Sequence, residues 1–489
     1  MPAQAKGAGI YNVVVIGGGT AGLVTAAGTA GLGGRVALVE RNQMGGDCLN
    51  FGCVPSKALI SSARLLDKMR RAEEWGLHRV EPSFEFTEVF ERMRARRARI
   101  APNDSQERFE SLGVDVFRGE AKFVSDRAVA VGDTVLRARN FVIATGSRTA
   151  IPTIEGISSV PYFTNETIFD DLKTKPESMI VLGGGPIGCE LGQTFSRLGV
   201  RVTIVQRGGR LLPREDPDVS EFITRRLTNE GIQVMTNAEA RLVRTNDQGN
   251  VEMTVSRGSA GEAKVQSSIL LVCSGRSPTV RTLALDRAGV KANDRGVEVN
   301  EYLQTSQPHI YAAGDVAGPY LFTHMADAQA RVVVRNILMP LQMLRQKIDY
   351  SVVPWCTYVD PEIATVGLIE STAQQKNIAC DVIVQKLEEV DRAVLENEDA
   401  GFAKVVVAKG TDRILGATLV CESAGELLHE FVLAMKYGIG LGNIAATIHA
   451  YPTLSELARK MGDKYNKTRL TPTAKKLFTW LYHRGLPQP

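Results

Sequence analysis

Residues 45–59 read Gly-Gly-Asp-Cys48-Leu-Asn-Phe-Gly-Cys53-Val-Pro-Ser-Lys57-Ala-Leu. Two cysteines this close, at a junction from loop to helix, can form a strained and exposed disulfide, and such a bond is readily reduced. A helix start adds positive potential that favours a thiolate. Thiol–disulfide exchange, or capture of a thiophilic partner, is the chemistry such a pair can carry. The other five cysteines, Cys189, Cys273, Cys356, Cys380 and Cys421, lack ligand-type spacing and read as buried thiols. No metal site is expected.

The elements around the pair point to where its electrons come from. A β-branched run from Tyr11 to Ile16 ends in Gly17-Gly18-Gly19-Thr20-Ala21-Gly22, followed by a small-residue helix to about Gly31 and a strand from Arg35 to Val39 that leads into Glu40. This order is that of a dinucleotide-binding βαβ unit. Gly17 allows the tight turn, Gly19 admits a pyrophosphate close to the backbone, and Gly22 lets helix and strand pack. The helix N-terminus offers free N–H groups to the phosphates, and Glu40 accepts from a ribose. A second copy runs from Ser178 through Gly183-Gly184-Gly185-Pro186-Ile187-Gly188 to a strand at Arg201–Val205. Two such units imply two dinucleotides. After the second unit's last strand come Gln206, Arg207 and Arg210 instead of an acid. Two guanidiniums can receive a 2′-phosphate that a carboxylate would repel, so NADPH is the expected coenzyme, with NADH a possible second.

A chain of 489 residues implies about three domains. Hydrophobic residues at 44% and charged residues at 23% exclude wholesale disorder. Lys+Arg number 58 against 54 Asp+Glu, too small an excess for a protein that coats nucleic acid. Seven cysteines in this length exclude a disulfide-stapled secreted scaffold. No signal-peptide pattern opens the chain. The most apolar long stretch, Leu427–Ala446, is interrupted by His429, Glu430 and Lys436, so no membrane span is expected and the cytoplasm is the expected location. The arginine run from Arg92 to Arg99 reads as a solvated helix face.

The Cys48–Cys53 segment, beside a glycine loop, resembles the redox motif of the FAD-dependent pyridine nucleotide-disulfide oxidoreductases, which include glutathione reductase, dihydrolipoamide dehydrogenase and mercuric reductase. Three later stretches match at family-like positions: Ala144-Thr145-Gly146-Ser147, Ser274-Gly275-Arg276-Ser277-Pro278 and Ala312-Ala313-Gly314-Asp315-Val316. The resemblance implies an α/β fold of two Rossmann-type dinucleotide-binding domains plus an α+β dimerisation domain. The expected division is 8–150 and 276–346 for FAD, 151–275 for NAD(P)H, and 347–489 for the interface, with a basic aromatic tail. It implies that Gly17, Gly19, Gly22, Glu40, Thr145, Gly146, Gly314 and Asp315 hold FAD, and that Gly183, Gly185, Gly188, Arg207, Arg210 and Gly275 hold NADPH. It further makes Cys48 the interchange thiol, Cys53 the thiolate beside the flavin, and Lys57 a partner of both the flavin and Glu190. NADPH would then reduce the cysteine pair through FAD, and Cys48 would deliver electrons to a small-molecule disulfide or thiophilic metal-ion acceptor in a homodimer that shares its active site. Mercuric ion reduction, dihydrolipoamide dehydrogenase-like activity and a non-catalytic FAD-stabilised binding or membrane-surface protein are the alternatives.

The C-terminal motif departs from the disulfide-reducing branches. They carry His-Pro-Thr-x-x-Glu, in which the His is the acid/base and the Glu orients it. This chain has His449-Ala-Tyr451-Pro452-Thr453-Leu-Ser-Glu456. The acid is kept, but a phenol with a pKa of about 10 is a poor base at neutral pH. His449, on the same side as Tyr451 in an extended backbone, is a candidate substitute. Mercuric reductase likewise lacks this histidine, and Tyr465-Asn466-Lys467 is similar to that branch. An N-terminal CxxC metal-binding domain and closing vicinal cysteines, both features of the branch, are not found in these residues, so the resemblance is expected to describe ancestry better than activity. The tail from Lys475 to Arg484, basic and aromatic at helical spacing, reads as packing on the dimer in preference to a membrane surface.

Overall fold

Ile10–Ile16 forms a central strand, β1, because it is apolar toward both sides: Tyr11, Val13, Val14, Val15 and Ile16 are all buried. The computed structural model describes residues 6–7, 9–339 and 341–484, Ala260 by its backbone alone. In it β1 pairs in parallel with β2 (Val36–Glu40), and β2 with β3 (Val114–Arg118). On the other side β1 pairs with β4 (Thr134–Ile143), and an antiparallel pair, Ala128–Val131 and Ala121–Ser125, completes that edge. The late strand Ile310–Ala312 also pairs with β4, so residues beyond the second βαβ unit return to the first sheet. Val13 and Val15 face helix α1 (Thr20–Gly31) and pack on Ala21, Leu23 and Ala26. Val14 and Ile16 face the opposite layer with Phe123 and Phe141.

The second parallel sheet is built on β5 (Ser178–Leu182), flanked by β6 (Arg201–Val205) with β7 (Gln233–Met235) outside it, and by β8 (Ile269–Val272). The chain divides into two compact units. The first runs to Met69 and takes Glu81–Gly209 and Leu227–Asp349; the second takes Arg70–Val80, Arg210–Arg226 and the chain from Tyr350. The second unit centres on a five-stranded antiparallel sheet of order β9-β10-β13-β12-β11, formed by Pro354–Thr357, Glu362–Gly367, Ile414–Cys421, Phe402–Ala408 and Cys380–Lys386 respectively. Helix Ala424–Tyr437 covers it with Leu428, Phe431 and Ala434. Among the described residues no helix is long and apolar enough to cross a membrane.

Arg210–Arg226 joins the second unit, which its sequence does not announce. Its anchors are ionic and buried. Lys404 Nζ on β12, only 3% exposed, donates to Asp216 at 2.6 Å and to Asp218 at 2.9 Å. Glu215 accepts from Trp355 Nε1 at 2.6 Å and Thr365 Oγ1 at 2.9 Å. Removing one member of such a pair strands a charge where water cannot reach it. Lys404→Met is therefore expected to destabilise the second unit by about 3–5 kcal/mol, read as a lower thermal unfolding midpoint. The double variant Lys404→Met/Asp216→Asn should recover part of the loss, because the orphaned charge is removed.

Candidate functional site

The cysteine pair is held in place by a backbone contact. After β2 the chain turns through Gly45 and Gly46, both at positive φ, and Gly45 N–H donates to Gly18 O at 2.9 Å. A Cβ on Gly46 would lie 2.6 Å from Gly19 Cα, so only glycine lets the two loops touch. A short helix α2 (Gly46–Asn50) carries Cys48, the chain breaks at Phe51-Gly52, and α3 (Cys53–Arg70) restarts on Cys53. Asn50 Nδ2 ties α2 back to Met44 O and Gly46 O at 3.0 and 2.9 Å. Asn165 Nδ2 bridges Asp47 Oδ1 and Phe51 O at 3.2 and 3.1 Å. The two cysteines thus sit on successive helix starts, both as free thiols, with Cys53 exposed and Cys48 half-buried.

Their environments split them. Cys53 is lowered to about 6, first because the Cys48 thiol donates to it, then through the Thr323 hydroxyl and the nearby Lys57 cation, with burial opposing. Cys48 is pushed well above the ordinary thiol range for the converse reason, as the donor in that bond, with burial adding to it. At neutral pH the pair is one thiolate and one thiol. Thr323 Oγ1 lies 3.5 Å from Cys53 Sγ at the start of α5, a helix that follows α4 (Pro186–Arg197) in the chain and spans Thr323–Leu338. Lys57 Nζ, on α3, pairs with Glu190 Oε2 of α4 at 2.8 Å, and the Glu190 side chain is 6% exposed. Thr323 is absent from the sequence-based site: it is remote in the chain and no spacing links a lone threonine to the cysteines. Phe322 and His324 flank it, their rings stacked with centroids 5.2 Å apart.

The two glycine loops repeat one design. Glu40 at the end of β2 accepts from Gly18 N–H at 2.6 Å and Asn42 N–H at 2.6 Å; Gln206 after β6 accepts from Gly184 N–H at 2.9 Å in the corresponding place. Gly17, Gly22, Gly183 and Gly188 are glycine for internal reasons, since a Cβ on any of them would lie within 2.5 Å of a backbone oxygen. Gly19 and Gly185 have no such reason. Their φ values of −86° and −80° suit any residue, and a Cβ on Gly185 would meet nothing within 4 Å. Both sit as N-caps with no side-chain cap, which leaves first-turn N–H groups without a side-chain acceptor. A pyrophosphate at each loop accounts for that, so the residues present fit FAD and NAD(P)H.

The later motifs converge on the first loop and the redox segment. Asp315 accepts from Ser147 Oγ at 2.6 Å, and burial raises its carboxyl above the ordinary range against that bond. Arg276 donates to Ser147 Oγ at 2.6 Å and reaches Asp47 at 3.2 Å. Thr145 Oγ1 donates to Thr279 O at 2.6 Å, Gly146 O accepts from Thr279 N–H, Gly275 O accepts from Ala150 N–H, and Gly314 N–H is held by Gln329 at 2.6 Å. Arg207 is exposed beyond β6, whereas Arg210 belongs to the second unit and donates to Pro213 O at 3.1 Å. The arginine run is more than a solvated face, because Arg97 donates to Asn50 O at the end of α2 and clamps Asp170 through both terminal nitrogens. Of the five remaining cysteines only Cys189 and Cys421 are buried; Cys273, Cys356 and Cys380 are half-buried.

The C-terminal group lies in the second unit. Tyr451 is exposed, and its hydroxyl donates to Asp391 at 2.9 Å, which holds the phenol above its ordinary pKa. His449 does not share a side with it: the imidazole bonds Thr447 O through Nδ1 and Glu430 through Nε2, at 2.9 and 3.0 Å, with 6% of the side chain exposed. Glu456 is buried; Oε1 accepts from Arg459 at 2.9 Å, and Oε2 has no hydrogen-bond partner.

The chain matches the family model described as pyridine nucleotide-disulphide oxidoreductase over residues 11–330, and the model of that family's dimerisation domain over 353–461. The mercuric reductase of Staphylococcus aureus is 34% identical over 449 residues, covering 92% of this chain and 81% of that one. The dihydrolipoyl dehydrogenase of Geobacillus stearothermophilus is 33% identical over 459 residues, covering 92% and 95%. Among solved structures, the HOCl-induced flavoprotein disulfide reductase of Escherichia coli superposes with a TM-score of 0.83 at 27% identity, covering 93% of this chain and 99% of that one.

Thr323→Val removes a donor to the thiolate, so the Cys53 pKa should rise toward the ordinary thiol value. Alkylation by iodoacetamide across a pH series reads this: the midpoint is expected at about 6 in the parent protein and at higher pH in the variant. Thr323→Ser, which keeps the hydroxyl, should restore it.

Proposed function

The chain belongs to the pyridine nucleotide-disulphide oxidoreductase family, and we propose that Cys48 and Cys53 carry electrons from NADPH to a disulfide or thiophilic acceptor. It is a flavoenzyme that uses FAD and a pyridine nucleotide. The observation that carries the residue assignment is the split of the pair into thiolate and thiol. When bound, FAD supplies two-electron transfer between nicotinamide and disulfide. Gly17, Gly19, Gly22, Glu40, Thr145, Gly146, Gly314 and Asp315 would hold it. Gly183, Gly185, Gly188, Arg207 and Gly275 would hold the coenzyme.

The residues' own steps follow from their protonation. Cys48 passes its proton to the Cys53 thiolate along their hydrogen bond and attacks one sulfur of the acceptor, breaking the acceptor's S–S bond and releasing one thiolate. Cys53 then loses its proton and attacks Cys48 Sγ, releasing the second thiolate and closing the Cys48–Cys53 disulfide. The pair's single proton leaves with one product thiol, and the other product thiolate takes its proton from water. Lys57, fixed by Glu190, holds a positive charge near Cys53 throughout. Tyr451 in place of an imidazole slows the proton exchange this route needs, and one oxygen of Glu456 has no hydrogen-bond partner. Both favour a thiophilic metal ion held by the two sulfurs, which needs no such exchange. The similar Escherichia coli reductase is also solved as a Cu(II) complex, and several of the similar proteins are named mercuric reductases. We further read the protein as cytoplasmic and as a homodimer with the active site shared across the interface; its dimerisation domain supports the homodimer.

Steady-state NADPH oxidation tests the reading with Hg(II) in excess small thiol, lipoamide and glutathione disulfide as acceptors. Turnover with Hg(II) should exceed that with either disulfide, and Cys53→Ser should abolish it; thiol-dependent turnover that survives in Cys53→Ser refutes the assignment. Tyr451→His, which gives Glu456 its partner, should raise disulfide turnover by about 10²–10⁴-fold. Gln206→Glu should shift the NADPH-to-NADH ratio of kcat/KM toward NADH by about tenfold to a hundredfold, since like charges would then meet at the 2′-phosphate.

A further inference from the structure

We propose that the helix Pro472–His483, near the end of the described chain, docks the protein on an anionic phospholipid bilayer surface. The segment is helical by its own local chemistry. Thr471 Oγ1 accepts from Ala474 N–H at 3.2 Å, and Pro472 opens the first turn. Yet none of its residues is buried: Leu477, Phe478, Trp480, Leu481 and Tyr482 are all exposed, Tyr482 at 83%. Ala474, Leu477, Phe478 and Leu481 recur at intervals of three and four, so they form one stripe. Trp480 and Tyr482 fall on either rim of that stripe, and Lys475, Lys476, Thr479 and His483 lie opposite. No acidic residue follows Asp463, while Lys464, Lys467, Arg469, Lys475, Lys476 and Arg484 do.

An apolar stripe rimmed by Trp and Tyr, with a polar face that carries two lysines and no acid, is the arrangement that binds at the headgroup boundary of anionic membranes. The charge complements that surface. The helix cannot span it: 12 residues measure about 18 Å, against a hydrocarbon core of about 30 Å. A second copy of the chain is the other occupant considered from the sequence, and two observations favour the membrane over it. The match to the family's dimerisation domain ends at residue 461, before this helix begins. The basic charge that follows Asp463 without an acid would also repel the same segment of a second copy, whereas an anionic surface attracts it.

The test uses the full-length FAD-loaded protein and sedimentation with large unilamellar vesicles. One set is phosphatidylcholine alone and the other equimolar phosphatidylcholine and phosphatidylglycerol. The parent protein should pellet with the anionic vesicles and stay in the supernatant with the neutral ones. Trp480 emission, taken as the difference from Trp480→Phe, should shift to the blue on binding. Leu477→Asp/Leu481→Asp should abolish binding, and Lys475→Gln/Lys476→Gln should weaken it by about thirtyfold. FAD content and NADPH oxidation should be unchanged in each variant. Failure to bind anionic vesicles, equal binding to neutral ones, or unchanged binding by Leu477→Asp/Leu481→Asp would overturn the proposal. A fall of that variant from dimer to monomer without lipid binding in the parent would assign the stripe to a second copy instead.

Discussion

The close approach of Gly45-Gly46 to Gly18-Gly19 is the constraint on which the site depends. The hydrogen bond from Gly45 N–H to Gly18 O and the near-contact at Gly46 fix the redox segment on the loop that would cradle FAD. A side chain at Gly46 would force the loops apart and carry the cysteines with them. Because α2 starts at that contact and only Phe51 and Gly52 separate it from α3, the position of both sulfurs follows from it. Glu40, at the end of β2, braces Gly18 from the other side, so sheet, loop and redox helix form one connected backbone frame.

On that frame the functional asymmetry of the thiols arises from neighbours that are distant in the chain. Thr323 and Lys57 stabilise charge on Cys53, while Cys48 is held as the donor. Glu190 keeps Lys57 in place, and Arg276 links Asp47 to Ser147, which bonds Asp315. Arg97 and Asn165 close the ends of α2 and its following break. A thiolate exposed enough to react has to be fixed by bonds rather than by packing, and this set of bonds does so.

In the second unit the retained acid without its histidine is informative. Glu456 remains buried with one oxygen unpartnered, Tyr451 turns its hydroxyl to Asp391, and His449 is committed to Glu430. The imidazole–carboxylate pair that does form, His449 with Glu430, leaves out Glu456, the acid of the motif. Extended-strand geometry puts residues 449 and 451 on one side, but that rule holds only where the backbone stays extended. The chain bends at Tyr451-Pro452, and the two side chains bond different partners, Glu430 and Asp391.

The sequence by itself determined the two dinucleotide units, the redox pair and the order of the later motifs. Each is a local pattern: glycines at spacings that a turn and a helix start require, flanked by runs buried on both sides. It also marked the tail as amphipathic, because helical periodicity is local too. Only the tertiary structure decided which residues meet. Thr323 beside Cys53, Arg97 on the end of α2, Lys404 under Asp216, and the separation of His449 from Tyr451 all join or part residues by folding rather than by spacing. Whether a polar side chain is buried and paired depends on what the fold brings to it, and neighbours in sequence carry little of that information.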